Sequence, residues 1–224
     1  MKDLTFEALS PDVARELLVA TEREMKPIEM PLDKTLVQVV TLPFYADYKF
    51  YAMTDMTLPP PNIRYMLYRP GDLNMMNWTN EPIYSVNEKA PIKLDRKTLV
   101  LYTKFFFHYV RGQLGRFIIV ETPEDVRWLE NASDQEKAMV AERLMPVTYK
   151  SVGRDNLFTL TCTVIFKNAL FKTDVKVAPY EMDVFDPESG MSEHFTIGQM
   201  KLTNEELLLE DLNVPVDEPP GEFG

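Results

Sequence analysis

Between Asp95 and Gly112 the chain reads DRKTLVLYTKFFFHYVRG. At about 100° per residue this segment forms a helix that is apolar around most of its circumference. Leu99, Val100, Leu101, Tyr102, Phe105, Phe106, Phe107, Tyr109 and Val110 supply that surface, leaving Lys97, Lys104, His108 and Arg111 as one narrow basic seam. A helix this greasy must be buried, so the remaining elements are expected to pack around it. Asp95 is suited to cap its start and Gly112 to end it. No segment of the chain carries a specific catalytic signature.

With 224 residues, 45% of them apolar, the chain can build a sizeable core without staples. Its single cysteine, Cys162, lies inside the apolar run FTLTCTVIF, cannot form an intramolecular bridge, and fits a buried thiol in a reducing compartment. The opening MKDLTFEALSPDVARELL has no basic region followed by an apolar stretch and cleavage site, and no run reaches the roughly 18 consecutive apolar residues of a membrane span. A soluble cytoplasmic protein is expected. The net charge of −11 repels phosphate backbones and anionic membranes, so neither nucleic acid nor membrane is an expected partner. Much of the acid crowds the end, where Glu205, Glu206, Glu210 and Asp211 precede a proline-broken segment, 215–224, read as an acidic disordered tail.

Along the chain, Ser10, Pro11 and the spacing of Val13, Ala14, Leu17 and Leu18 predict a helix over 11–25. LVQVVTL, YKFYAMTDM and IRYMLYRP then read as strands bounded by prolines, and Pro82–Asn87 as a further short strand. GRFIIVE reads as a buried strand after the greasy helix. Thr122-Pro123-Glu124-Asp125 and Ser133 with Glu136 predict helical structure across 123–145, arranged as a hairpin. From 147 to 202 the pattern is an antiparallel meander, and Thr203-Asn204-Glu205-Glu206 reads as the cap of a last helix, LLLEDL. The expected class is α+β, with a curved antiparallel sheet packed around a central apolar helix at 96–111 and one compact domain over 1–214.

Arg69-Pro70-Gly71-Asp72, Asn87-Glu88, the Phe105-Phe106-Phe107 helix, Val110-Arg111-Gly112 with Gly115-Arg116-Phe117, and Val164-Ile165-Phe166 followed by Ala169-Leu170-Phe171 resemble, in their spacing, a family of uncharacterised small soluble bacterial proteins. The resemblance covers 69–121 and part of 147–214. It implies a bacterial origin and a shared fold, and brings no activity, cofactor or catalytic residue.

Only His108 and His194 offer imidazoles for acid–base chemistry or metal ligation. Lys104, His108, Arg111 and Arg116 could together bind an anion, with Glu121 nearby, or form a seam that pairs with the protein's own acids. His194 follows Asp183, Asp186, Glu188 and Glu193, but the spacing matches no metal loop, and no metal or cofactor is expected. Cys162 has apolar flanks that raise a thiol pKa and argue against a nucleophile. In RPGDLNMMNWTNEPIY, Met75, Met76, Trp78 and Tyr84 mix adaptable apolar side chains with amides, which suits either a protein contact or a plug for the core. The expected function is a non-catalytic protein-binding or assembly module, with another protein as partner and homo-oligomers admissible. The alternative is an enzyme or small-molecule binder with an anionic-ligand pocket at His108, Arg111 and Arg116.

Overall fold

The computed structural model describes residues 4–25, 30–90, 92–186 and 190–216. Its fold is α+β, with antiparallel strand pairing throughout the described residues. Where one domain is expected, contacts divide the chain into two compact units that meet between Lys93 and Leu94.

The first unit is a five-stranded meander, β1 (Glu7–Ala8), β2 (Thr35–Thr41), β3 (Lys49–Asp55), β4 (Asn62–Arg69) and β5 (Asp72–Met75), each strand pairing with the next. Side chains alternate across such a sheet. One face, Val37, Met53 and Met66, packs with Ala14, Leu18 and Met25 of α1 (Pro11–Met25), the helix expected there. Pro82–Asn87 is not a strand but lies in α2 (Glu81–Lys89). Pro82 sits in its first turn, where a missing N–H costs nothing, and Ile83, Val86 and Asn87 are buried at helical spacing. Lys89 at its end reaches Asp72 at 3.1 Å, and the Tyr48 hydroxyl donates to the same carboxylate at 2.5 Å. This network fixes the Arg69–Asp72 hairpin turn to α2.

The second unit begins with α3 (Arg96–Tyr109), the greasy helix. Asp95 caps it by accepting from the Lys97 and Thr98 amides at 2.8 and 2.9 Å. Leu99, Tyr102, Phe105, Phe107 and Tyr109 are buried, and the Tyr102 hydroxyl donates to the Gly198 carbonyl at 2.9 Å. Its sheet contains β6 (Phe117–Ile119), β7 (Thr148–Val152), β8 (Phe158–Phe166), β9 (Ala169–Val177) and β12 (Met200–Leu209), while β10 (Met182–Asp186) and β11 (Met191–Phe195) form a separate hairpin. The sheet is not a simple meander. On one side β8 pairs along its length with β9, and on the other β7 and β6 divide its edge between them.

Two further expectations are corrected. The 123–145 helical hairpin is a single 3-10 turn, Pro123–Asp125, and one short helix, α4 (Asp134–Ala141). The Asp125 carboxylate folds back onto the Thr122 amide and hydroxyl, a local capping box that closes one turn and stops. Leu129 instead donates its amide to the Asn213 carbonyl, so the chain here runs extended. LLLEDL is not a helix: its first three residues, Leu207–Leu209, end β12, whose backbone pairs with β9 between Met200 and Leu209, and the rest lies past the strand. There the ladder of a waiting strand outweighs the local capping pattern.

At the centre of this sheet Asp174, only 8% exposed, accepts from Lys150 Nζ at 3.0 and 3.2 Å and from Asn204 Nδ2 at 2.9 Å. Burial opposes its ionisation, but these bonds outweigh it and hold the carboxyl below the usual range. Asp174→Ala is therefore expected to cost about 2–3 kcal/mol by urea denaturation at neutral pH, because it removes the charge-assisted hydrogen bonds of a buried carboxylate. Lys150→Ala, whose side chain is 47% exposed, should cost less than about 1 kcal/mol. The Asp174 penalty should fade as pH falls through its depressed pKa, since protonation removes the same stabilisation from the unaltered chain.

Candidate functional site

The basic seam on α3 is closed by the protein's own groups. Lys104 meets Glu121 at 2.6 Å, and the other oxygen of Glu121 accepts from the Val147 amide at 2.8 Å. The Arg116 guanidinium donates to the backbone carbonyl of His108 at 2.6 Å. Arg111 is half-buried just past the helix end. The His108 ring lies edge-on to Tyr109 with centroids 4.7 Å apart. Burial, with Arg116 adding to it, lowers its pKa to about 4, so the imidazole is neutral at physiological pH.

The Met/Trp segment divides. Met75 joins the core beneath α1, Met76 and Tyr84 are half-buried, and Trp78 is 39% exposed. Trp78 also holds a left-handed backbone, φ 68°, which a bulky side chain adopts only when its surroundings impose it. It sits edge-to-face on Tyr65 with centroids 6.5 Å apart, and Tyr65 in turn stacks on Phe50.

His194 faces Asp183 across the β10–β11 hairpin, with Nδ1 2.9 Å from the carboxylate and Nε2 3.4 Å from Glu181. The Asp183 hydrogen bond raises its pKa. Glu193 pairs instead with Lys201 at 2.8 Å, Glu188 lies outside the described residues, as does the side chain of Asp186, and among the described residues no cluster of three or more metal-ligating side chains is present. Cys162 is buried, and burial first, then Glu121 and Asp174, pushes its thiol up to about 12. It stays protonated and packs as an apolar group.

A cavity of about 200 Å³ lies elsewhere, on the face of the second unit's sheet that carries Phe117, Val164, Phe166 and Phe171, with Thr173, Leu202 and Glu205 completing it. Phe117 and Phe166 are direct cross-strand partners and stack at 4.3 Å. Glu205 reaches this face through a bulge. The β12–β9 register advances three residues, Thr203 to Glu206, against two, Asp174 to Lys172. Asn204, at φ 53°, turns its amide to Asp174, which leaves Glu205 on the opposite face beside Thr173. The Thr173 hydroxyl donates to the Thr203 carbonyl at 3.1 Å, so the bulge is pinned from both sides. None of the four seam residues lines this cavity. The signal for it in the sequence was Asn204 within an otherwise strand-like run, a residue tolerant of the left-handed region.

No known family model, curated protein or solved structure matches this chain. No helix among the described residues is long and apolar enough to cross a membrane.

A His108→Gln variant tests the electrostatics of α3. Because the folded pKa lies below the unfolded value near 6.5, the native state gives up stability as pH falls from about 6.5 to about 4. Over that interval the unaltered chain should lose about 2 kcal/mol more than His108→Gln in urea midpoint titrations. Parallel profiles for the two would show that the imidazole is not shielded.

Proposed function

We propose that the chain is a non-catalytic protein-binding module that docks another protein on the first unit's sheet. The observation carrying this reading is a row of apolar side chains in water. Leu36 pairs with Thr54 and Thr54 with Ile63, so Leu36 and Ile63 share the face turned away from α1. They are 40% and 45% exposed, and the turn that follows β3 adds Met56 at 57% and Leu58 at 48%. One exposed Leu needs no explanation, but several in one place are the mark of a docking surface. Tyr65, one pleat repeat from Ile63 on the same face, carries the exposed Trp78 beside them.

A partner with a neutral or basic surface suits a chain of net charge −11, which disfavours a second copy of itself by repulsion. The proposal includes a reducing cytoplasm, consistent with the single buried Cys162, and kinship with uncharacterised bacterial proteins, which rests on motif spacing alone. It also takes α3 as the central apolar helix of the fold, supported by the burial of Leu99, Tyr102 and Phe105. An anion pocket at His108 is the weaker reading, because Lys104 already pairs with Glu121 and Arg116 with the His108 carbonyl.

Native mass spectrometry of the protein expressed in its source cells decides the matter. The expected spectrum shows a defined heteromer that disappears in the Leu36→Glu/Ile63→Glu variant while its thermal midpoint is retained. Each side chain, half-exposed now, stands to contribute about 1 kcal/mol on burial, so the double change should weaken the complex at least tenfold. A monomer without a second chain, or a heteromer indifferent to the variant, would contradict the reading.

A further inference from the structure

We propose that the cavity of the second unit binds a small organic ammonium ion, holding its apolar body among Phe117, Phe166 and Phe171 and its charged nitrogen at Glu205. The inference is independent of the protein-docking surface on the other unit.

The size of the cavity sets the scale of the ligand. Drug-sized molecules occupy roughly 300–1,000 Å³, whereas about 200 Å³ here admits one ring or a branched alkyl group with a short tail. Its walls fix the chemistry of the body, since three phenyl rings, Val164 and Leu202 offer apolar surface with Thr173 the only hydroxyl among the lining side chains. That hydroxyl donates its hydrogen to the Thr203 carbonyl, so it has lone pairs but no free donor to offer a ligand.

Glu205 fixes the charge. Its carboxylate has no hydrogen-bond or ion-pair partner among the described residues, although the next residue, Glu206, on the opposite face, pairs with Lys172. A regular strand would carry no extra residue at this point; the bulge at Asn204 adds Glu205 to the phenyl-lined face. A left-handed Asn costs backbone strain, and here the Asp174 hydrogen bond holds it in place. The rings favour the same sign of charge, because aromatic faces attract cations. The chain itself shows this at one of these rings, where Lys167 Nζ sits 5.5 Å from the centroid of Phe166. An anion would meet Glu205 and a protein of net charge −11, and a neutral ligand could offer the carboxylate a hydrogen bond but no opposite charge.

The test is a two-dimensional amide NMR titration of the full chain with phenethylammonium and isoamylammonium, beside the neutral phenethyl alcohol and the anion phenylacetate. The expected result is saturable shifts at Phe117, Val164, Phe171, Leu202 and Glu205 for the two ammonium ions. Binding of both should weaken about fivefold in Glu205→Gln, the most that one exposed charge pair supplies. Glu205 is exposed, so this variant should fold unchanged, and its spectrum away from the cavity serves as the check. Equal affinity for phenethyl alcohol, equal affinity in Glu205→Gln, or no saturable shifts with either ammonium ion would overturn the assignment.

Discussion

One carboxylate organises the second unit. Asp174 lies in β9, with β8 on one side and β12 on the other, and burying its charge without partners would cost several kcal/mol. Lys150 from β7 and Asn204 from β12 supply those partners. The same bonds therefore do two structural tasks. They tie β7 across β8 to β9, and they hold Asn204 in a conformation that shifts the β12 register by one residue. The position of Glu205 follows from that shift, and with it the chemistry of the phenyl-lined cavity.

The contrast between this cavity and the α3 seam shows why charge alone is a poor guide to a site. Lys104 and Arg116 look available in the sequence, yet the fold supplies Glu121 and a helix carbonyl within hydrogen-bonding distance of them. Arg116 satisfies a carbonyl near the helix end, where carbonyls lack intrahelical donors, and Lys104 is neutralised by a carboxylate. Glu205 is surrounded by acids in the sequence and looks like one more solvated carboxylate. Topology separates it from them, because a single inserted residue decides which face of the sheet it occupies.

The long-period signals were legible from the residues. The α1 helix, the α3 helix with its Asp95 cap, and the strands from Thr148 to Asp186 follow from apolar spacing and from proline and glycine punctuation. Short elements were not. Pro82–Asn87 alternates well enough for a strand, but a first-turn proline and buried side chains at helical spacing decide for α2. Thr203–Glu206 satisfies a capping pattern, yet β9 pairs with Thr203 and with Glu206 on either side of the bulge, and pairing with a distant strand cannot be read from a local motif. Beyond the hint of Asn204, the cavity could not be assembled from the sequence for the same reason: Phe117, Phe171 and Glu205 are brought together by register, which depends on a bulge. The row Leu36, Thr54 and Ile63 likewise exists only once three strands are aligned.

The central claim is that the Asp174–Asn204 bond turns Glu205 onto the phenyl-lined face. Nuclear Overhauser contacts in the free protein test it directly. The account predicts a strong intraresidue amide-to-α contact at Asn204, as a left-handed backbone requires, together with contacts from the Glu205 methylenes to the Phe171 ring. An extended Asn204 with Glu205 beside Lys172 would contradict it.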